Sequence, residues 1–145
     1  MPSNFLSRAK WVKIADHTAN GTTDVTSAIV DTAGYQGVVF ATSVGTAAAD
    51  VSIKVQQNTA NQTTGMSDLT GTSVVSGASP SNEDMIVEVC RPQERYLQVV
   101  VTRTTSTTCE SIWACLYGGD AQLDNNSVSG TQVAELHVSP AEGTA

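Results

Sequence analysis

Apolar and polar residues alternate with a period of two along most of the first 118 residues. That is the spacing of half-buried strands, whose successive side chains point to opposite faces. Val51, Ile53 and Val55 alternate with Ser52, Lys54 and Gln56, and Met85, Val87 and Val89 alternate with Ile86, Glu88 and Cys90. Leu97, Val99 and Val101 share one face of the run Tyr96–Arg103, which opens behind a charged turn closed by Pro92. Lys10–Ala15 offers Trp11, Val12 and Ile14 as a first strand. Val25–Val30 reads as a second, and Tyr35–Val44 is nearly continuous in apolar character and is expected to be buried. Leu69–Val75 completes the set as a short strand before Met85–Cys90, with Cys109–Tyr117 closing it.

The breaks between these runs carry turn residues. Asp16–Thr23, containing Asn20-Gly21, is expected to be a loop, as are Asn58–Met66 and the Gly77–Asn82 stretch. The polar connection Thr104–Thr108 is short, so Tyr96–Arg103 and Cys109–Tyr117 are expected to pair as an antiparallel hairpin. No window of twelve or more residues keeps a helical apolar stripe between credible caps. About eight short strands without crossover helices predict an all-β, antiparallel β-sandwich, with a jelly roll the best single topology. An immunoglobulin-like sandwich comes next and a closed barrel third.

Residues 119–145 follow another pattern. Gly118-Gly119-Asp120 ends the alternation, and Leu123, Val128, Val133, Leu136 and Val138 are spaced too irregularly for a core. The expected organisation is an N-terminal extension over 1–9, a sandwich domain over 10–118 and an extended C-terminal arm over 119–145. Fully extended, the arm reaches roughly 90 Å. Its five aliphatics suit pegs that order against a neighbouring subunit, the backbone adding a strand. The bland alternative is a frayed terminus.

Composition narrows the function. Charged residues make up 14% of the chain and hydrophobic ones 40%, so Thr, Ser, Asn, Gln and Gly carry the polar surface. The net charge of −7 opposes binding to phosphate backbones, which depends on Lys and Arg, so no nucleic-acid partner is expected. The first ten residues lack the apolar segment of a signal peptide, and no apolar run approaches the ~20 residues that span a bilayer. Synthesis in the cytoplasm and no membrane partner are the expectations. Cys109 and Cys115 lie about 20 Å apart along one strand and cannot bridge. With an odd count and no Cys-x-x-Cys, three free, buried thiols are expected.

Catalytic constellations are absent from the sequence as spacings. His17 and His137 have no metal-binding context, and no Gly-x-Ser-x-Gly elbow or phosphate-binding glycine loop leads into a helix. Glu88 and Glu110 are the only acids inside expected strands, both at positions compatible with solvent, which disfavours a glycosidase pair. Trp113 shares its strand face with Cys109, Ser111, Cys115 and Tyr117 and is expected in the core or an interface. Arg91, Glu94 and Arg95 form a charged cluster before Tyr96, either a surface ion pair or an interface contact. The reading is of a non-enzyme without cofactor or metal.

Four segments resemble the head decoration, or cement, proteins of tailed bacteriophages: Ser52-Ile-Lys-Val-Gln-Gln57, Ser67-Asp-Leu-Thr-Gly71, Arg91-Pro-Gln-Glu-Arg-Tyr-Leu-Gln-Val-Val-Val101 and His137-Val-Ser-Pro-Ala-Glu-Gly-Thr-Ala145. The resemblance covers most of the chain from about residue 35. It implies a jelly-roll virion protein on the outer surface of the head, which bridges neighbouring major capsid subunits as a dimer or trimer and stiffens the shell. The competing expectation is a carbohydrate- or receptor-binding β-sandwich module of a tail or fibre, which the 5% aromatic content disfavours.

Overall fold

A computed structural model describes residues 5–47, 51–77, 81–103 and 106–119. A single 3-10 turn, Phe5–Ser7, precedes the strands and sets the Phe5 ring 6.4 Å from that of Trp11. Twelve strand segments follow among the described residues: β1 (Lys10–Ala15), β2 (Thr18–Gly21), β3 (Val25–Thr26), β4 (Val30–Asp31), β5 (Gly37–Val44), β6 (Val51–Asn58), β7 (Ser67–Asp68), β8 (Val74–Val75), β9 (Glu83–Cys90), β10 (Tyr96–Arg103), β11 (Thr107–Cys109) and β12 (Ile112–Tyr117). No described helix is long and apolar enough to cross a membrane.

The twelve segments occupy eight strand positions, because four positions are broken in two. β1 and β2 run along β12 and β11, which themselves run along β5; β3 and β4 share β10; β7 and β8 share β6. Numbering the positions in chain order, the first sheet reads 1-8-3-6 and the second 2-7-4-5, with every neighbouring pair antiparallel. Consecutive strands alternate between sheets, except that positions 4 and 5 are neighbours in the second, in the manner of two interleaved Greek keys. This is the jelly roll that the strand spacing predicts.

The period-two pattern becomes the core. Val38, Phe40 and Val44 of β5 and Ile112, Ala114 and Leu116 of β12 face Val51, Ile53 and Val55 of β6 and Leu97, Val99 and Val101 of β10, nearly all fully buried. At about 1.5–3 kcal/mol for each large apolar side chain, their burial dominates the stability of the domain.

Several expectations are corrected. Tyr96–Arg103 and Cys109–Tyr117 do not form a hairpin: β10 lies in the second sheet between β6 and β3/β4, while β12 lies in the first between β1 and β5. Both edges of β10 are already occupied, so the chain after Arg103 crosses to the other sheet instead of folding back. The expected loop Asp16–Thr23 contains β2, paired with β11 despite its Asn20-Gly21. Val25–Val30 is interrupted, since the hydroxyl and N–H of Ser27 pair with Val99 of β10 between β3 and β4. Leu69–Val75 is largely a turn closed by the Thr72 hydroxyl on the Leu69 carbonyl at 2.8 Å, with strand only at β7 and β8 on either side of it. Among the three cysteines, all free, Cys109 and Cys115 are buried but Cys90 is exposed at the end of β9.

Arg103 was invisible as a structural residue in the sequence. Only 5% of its surface is exposed, and its guanidinium donates to the carbonyls of Thr23 (2.6 Å), Ala19 (3.0 Å) and Thr107 (2.7 Å). It ties the end of β10 to β2, β11 and the loop before β3, at the point where the chain changes sheets. Charge-assisted bonds to backbone carbonyls satisfy a charge that would otherwise be costly to bury.

Candidate interaction surface

The two outer faces of the sandwich differ in chemistry. On the second sheet the cross-strand row is polar. Gln98 Nε2 donates to Gln56 Oε1 at 2.6 Å, Gln56 Nε2 to Asp68 at 2.7 Å, and Lys54 Nζ to the same carboxylate at 2.8 Å. The bonds from Lys54 and Gln56 hold the Asp68 carboxyl below its ordinary range.

The outer face of the first sheet is largely apolar. Register places Lys13, Trp113, Ala41 and Ile86 in one row across β1, β12, β5 and β9, and Trp11, Cys115, Val39 and Glu88 in the next. Ile86 is 61% exposed, whereas Trp113, Trp11, Val39 and Ala41 are half-buried. A shallow depression of about 450 Å³ lies where Trp113, Ala41 and Ile86 meet the polar Ser43, Asp84, Glu110 and Ser111. Trp113 thus faces outward and not into the core, because β12 directs Ile112, Ala114 and Leu116 inward. Aromatic and aliphatic groups gathered on one face, with charges at its edges, have the composition of the centre of a protein interface.

Tyr117 closes one end of this face. Its ring lies over Gly37 of β5, and its hydroxyl donates to the Glu88 carboxylate on β9, two strands away. That bond, with some desolvation, holds the Tyr117 hydroxyl well above its ordinary pKa. Glu110 lies in the break between β11 and β12, and its carboxylate accepts from His17 Nδ1 at 3.0 Å. The two acids therefore take separate partners, and no group of three metal-ligating side chains occurs among the described residues.

The charged cluster before β10 is drawn apart. Arg95 turns away to Asp31 of β4, with Nε and Nη2 each 2.8 Å from a carboxylate oxygen, and stacks 5.1 Å from the Tyr96 ring centroid. The Arg95 bond depresses the Asp31 carboxyl, with the Ala33 N–H adding to the effect. Glu94 is half-buried. Arg91 adopts the left-handed region at φ 52°, and its guanidinium takes no hydrogen bond or ion pair from a described residue. Of the other expected interface residues, Leu123, Val128, Val133, Leu136 and Val138 lie outside the described residues, as does His137.

Sequence reasoning missed the outer face because its members look like ordinary strand residues one at a time. The signal was present in β9, where Ile86 occupies a solvent position of the alternation. No protein-family profile and no curated protein sequence matches the chain.

Proposed function

We propose that this protein is a structural component of a virion that binds the outer surface of an assembled phage head and bridges neighbouring major capsid subunits. The contrast between the two outer faces carries the reading. A jelly roll whose first sheet bears Ile86, Trp113, Ala41 and Val39 on its outer face, while the second sheet's outer face is mostly polar with Val75 exposed at its edge, suits lying against a surface by one side. The resemblance to decoration proteins supplies the identity of that surface. Its central segment forms the Arg91–Arg95 turn and β10, which belong to the scaffold, so the face and not the resembling segment is the proposed contact.

Many copies on a repeating lattice gain strength by avidity even where each contact is modest, and dimers or trimers at symmetry axes follow the same logic. The protein adds no chemistry in this reading. Purified protein mixed with heads lacking it should pellet with them on sedimentation; protein left wholly in the supernatant contradicts the proposal. A glycan-array signal abolished by Trp113→Ala would instead support the carbohydrate-binding reading, which the half-buried tryptophan on an open face keeps in play.

A further inference from the structure

The edges of the two sheets are unequally protected. Both edges of the second sheet are broken into two-residue segments, β3 and β4 on one side and β7 and β8 on the other. At the β1 edge of the first sheet the Ala28 N–H occupies the Ile14 carbonyl. Such interruptions blunt an edge against further pairing. β9, by contrast, runs unbroken over the eight residues Glu83–Cys90, contains no proline, lysine or arginine, and pairs only with β5 among the described strands.

The hydrogen bonds fix which residues face that open edge. The Arg91 N–H donates to the Gln36 carbonyl at 2.7 Å, while Gly45 and Ser43 of the other parity bond across to Thr108 and Glu110. Antiparallel alternation therefore sends the backbone groups of Met85, Val87 and Val89 to β5, and those of Asp84, Ile86, Glu88 and Cys90 to the free edge. Acids there would ordinarily repel a second strand. Both outward carboxylates are instead drawn back over β5: Asp84 accepts from the Ser43 hydroxyl directly across from it, and Glu88 accepts from Tyr117. Ile86 stands largely exposed between them.

A second β9 can be laid antiparallel against the first about a two-fold axis. Outward residues must then face outward ones, so the possible registers step by two. A shift to one side sets Asp84 opposite Glu88, and a shift to the other sets Glu88 opposite itself. The register centred on Val87 avoids both. It sets Ile86 opposite Glu88 and Asp84 opposite Cys90, and brings Arg91, just past the end of the strand, beside Glu83 of the other copy. The Arg91 guanidinium has no partner among the described residues, and one Glu83 oxygen accepts from the Gly77 N–H while the other is left for that arginine. The edge residues then exchange about eight backbone hydrogen bonds, and Met85, Val87 and Val89 continue the inner face across the joint.

We infer that two copies of this chain join edge to edge through β9, in the register centred on Val87, into one continuous sheet. The dimer concerns the free protein and holds whether or not the chain coats a shell. Sedimentation equilibrium of the wild-type chain should give a mass twice 15.1 kDa that falls to the monomer's on dilution. On mild oxidation with diamide, Asp84→Cys should form a disulfide between position 84 of one copy and the exposed Cys90 of the other, identified by peptide mass mapping. Within one copy those positions lie about 20 Å apart along the strand and cannot bridge. Glu88→Cys, placed opposite Ile86, should not link to Cys90 of the other copy. Arg91→Glu should weaken the dimer severalfold, and adding Glu83→Arg should restore it, with the thermal transition confirming that each variant is folded. A wild type that stays monomeric at every concentration, a dimer that traps through position 88 and not 84, or a charge swap that fails to restore association would each overturn the inference. None of these measurements uses heads, so their failure is separate from a failure of shell binding.

Discussion

Tyr117 rests directly on Gly37: a Cβ at residue 37 would lie 2.9 Å from Tyr117 Cε1 and closer still to the hydroxyl end of the ring. The glycine is what lets the ring cross β5 and reach Glu88 on β9, so one side chain fastens three strands of the first sheet. Gly37→Ala should destabilise the domain by about 1–3 kcal/mol through overpacking. In the Tyr117→Ala background the same change should cost much less, giving a coupling measurable by denaturant titration of the double-mutant cycle. Equal costs in both backgrounds would contradict the packing.

The three cysteines should separate by reactivity. Cys109 and Cys115 are buried and desolvation raises both thiols above their ordinary pKa, whereas Cys90 is open to solvent. A disulfide-exchange reagent should modify one thiol in the folded protein and three after denaturation. Rapid modification of two or three under native conditions would contradict the assigned burial.

Acid sensitivity should report on Asp31. Its folded pKa is depressed below the ordinary 3.8, chiefly by the bond to Arg95. The stability it contributes is therefore fully present above that ordinary value and is lost as pH falls through the depressed one. Both partners are about half exposed, so solvent screens the pair and the contribution is small. Asp31→Asn should lower the melting temperature slightly at pH 7, and the difference from wild type should shrink as pH falls below 3.8.

Arg103 should be among the least replaceable polar residues. Arg103→Met removes charged donors from three backbone carbonyls at the sheet crossing and leaves them without their present partner, a loss on the order of 3 kcal/mol. Urea unfolding of the variant measures it. A loss below about 0.5 kcal/mol, the range of an ordinary surface substitution, would show that the crossing does not depend on this residue.

What the sequence disclosed and what it withheld have a common cause. Alternation reports which residues of one strand share a face, so the core of β5, β6, β9 and β10 and the eight strand positions were legible. It carries no information on which strand lies beside which. The hairpin expected around Thr104–Thr108 failed for that reason, since a short connection suits a sheet crossing as well as a turn. β2 was hidden because Thr18–Gly21 has almost no apolar residue, and its pairing is fixed by its neighbours and by Arg103 beneath Gly21. The apolar outer face emerged only when Ile86 of β9, Ala41 of β5 and Trp113 of β12 were aligned by register. The expected arm contacts at Leu123, Val128, Val133, Leu136 and Val138 fall outside the described residues.

The proposal that the first sheet's outer face docks on a phage shell is tested most directly by quantitative co-sedimentation with heads lacking the protein. Wild type, Ile86→Glu and Trp113→Glu should be compared, each first confirmed folded by its thermal transition. Ile86 is largely exposed, so its replacement should leave the fold intact while placing a charge within the contact. Saturable binding by wild type, weakened tenfold or more by either substitution, is the predicted result, a loss of about 1.4 kcal/mol or greater. Wild type and both variants pelleting to the same extent would show that this face is not the contact, and no pelleting at all would contradict the shell-binding function itself.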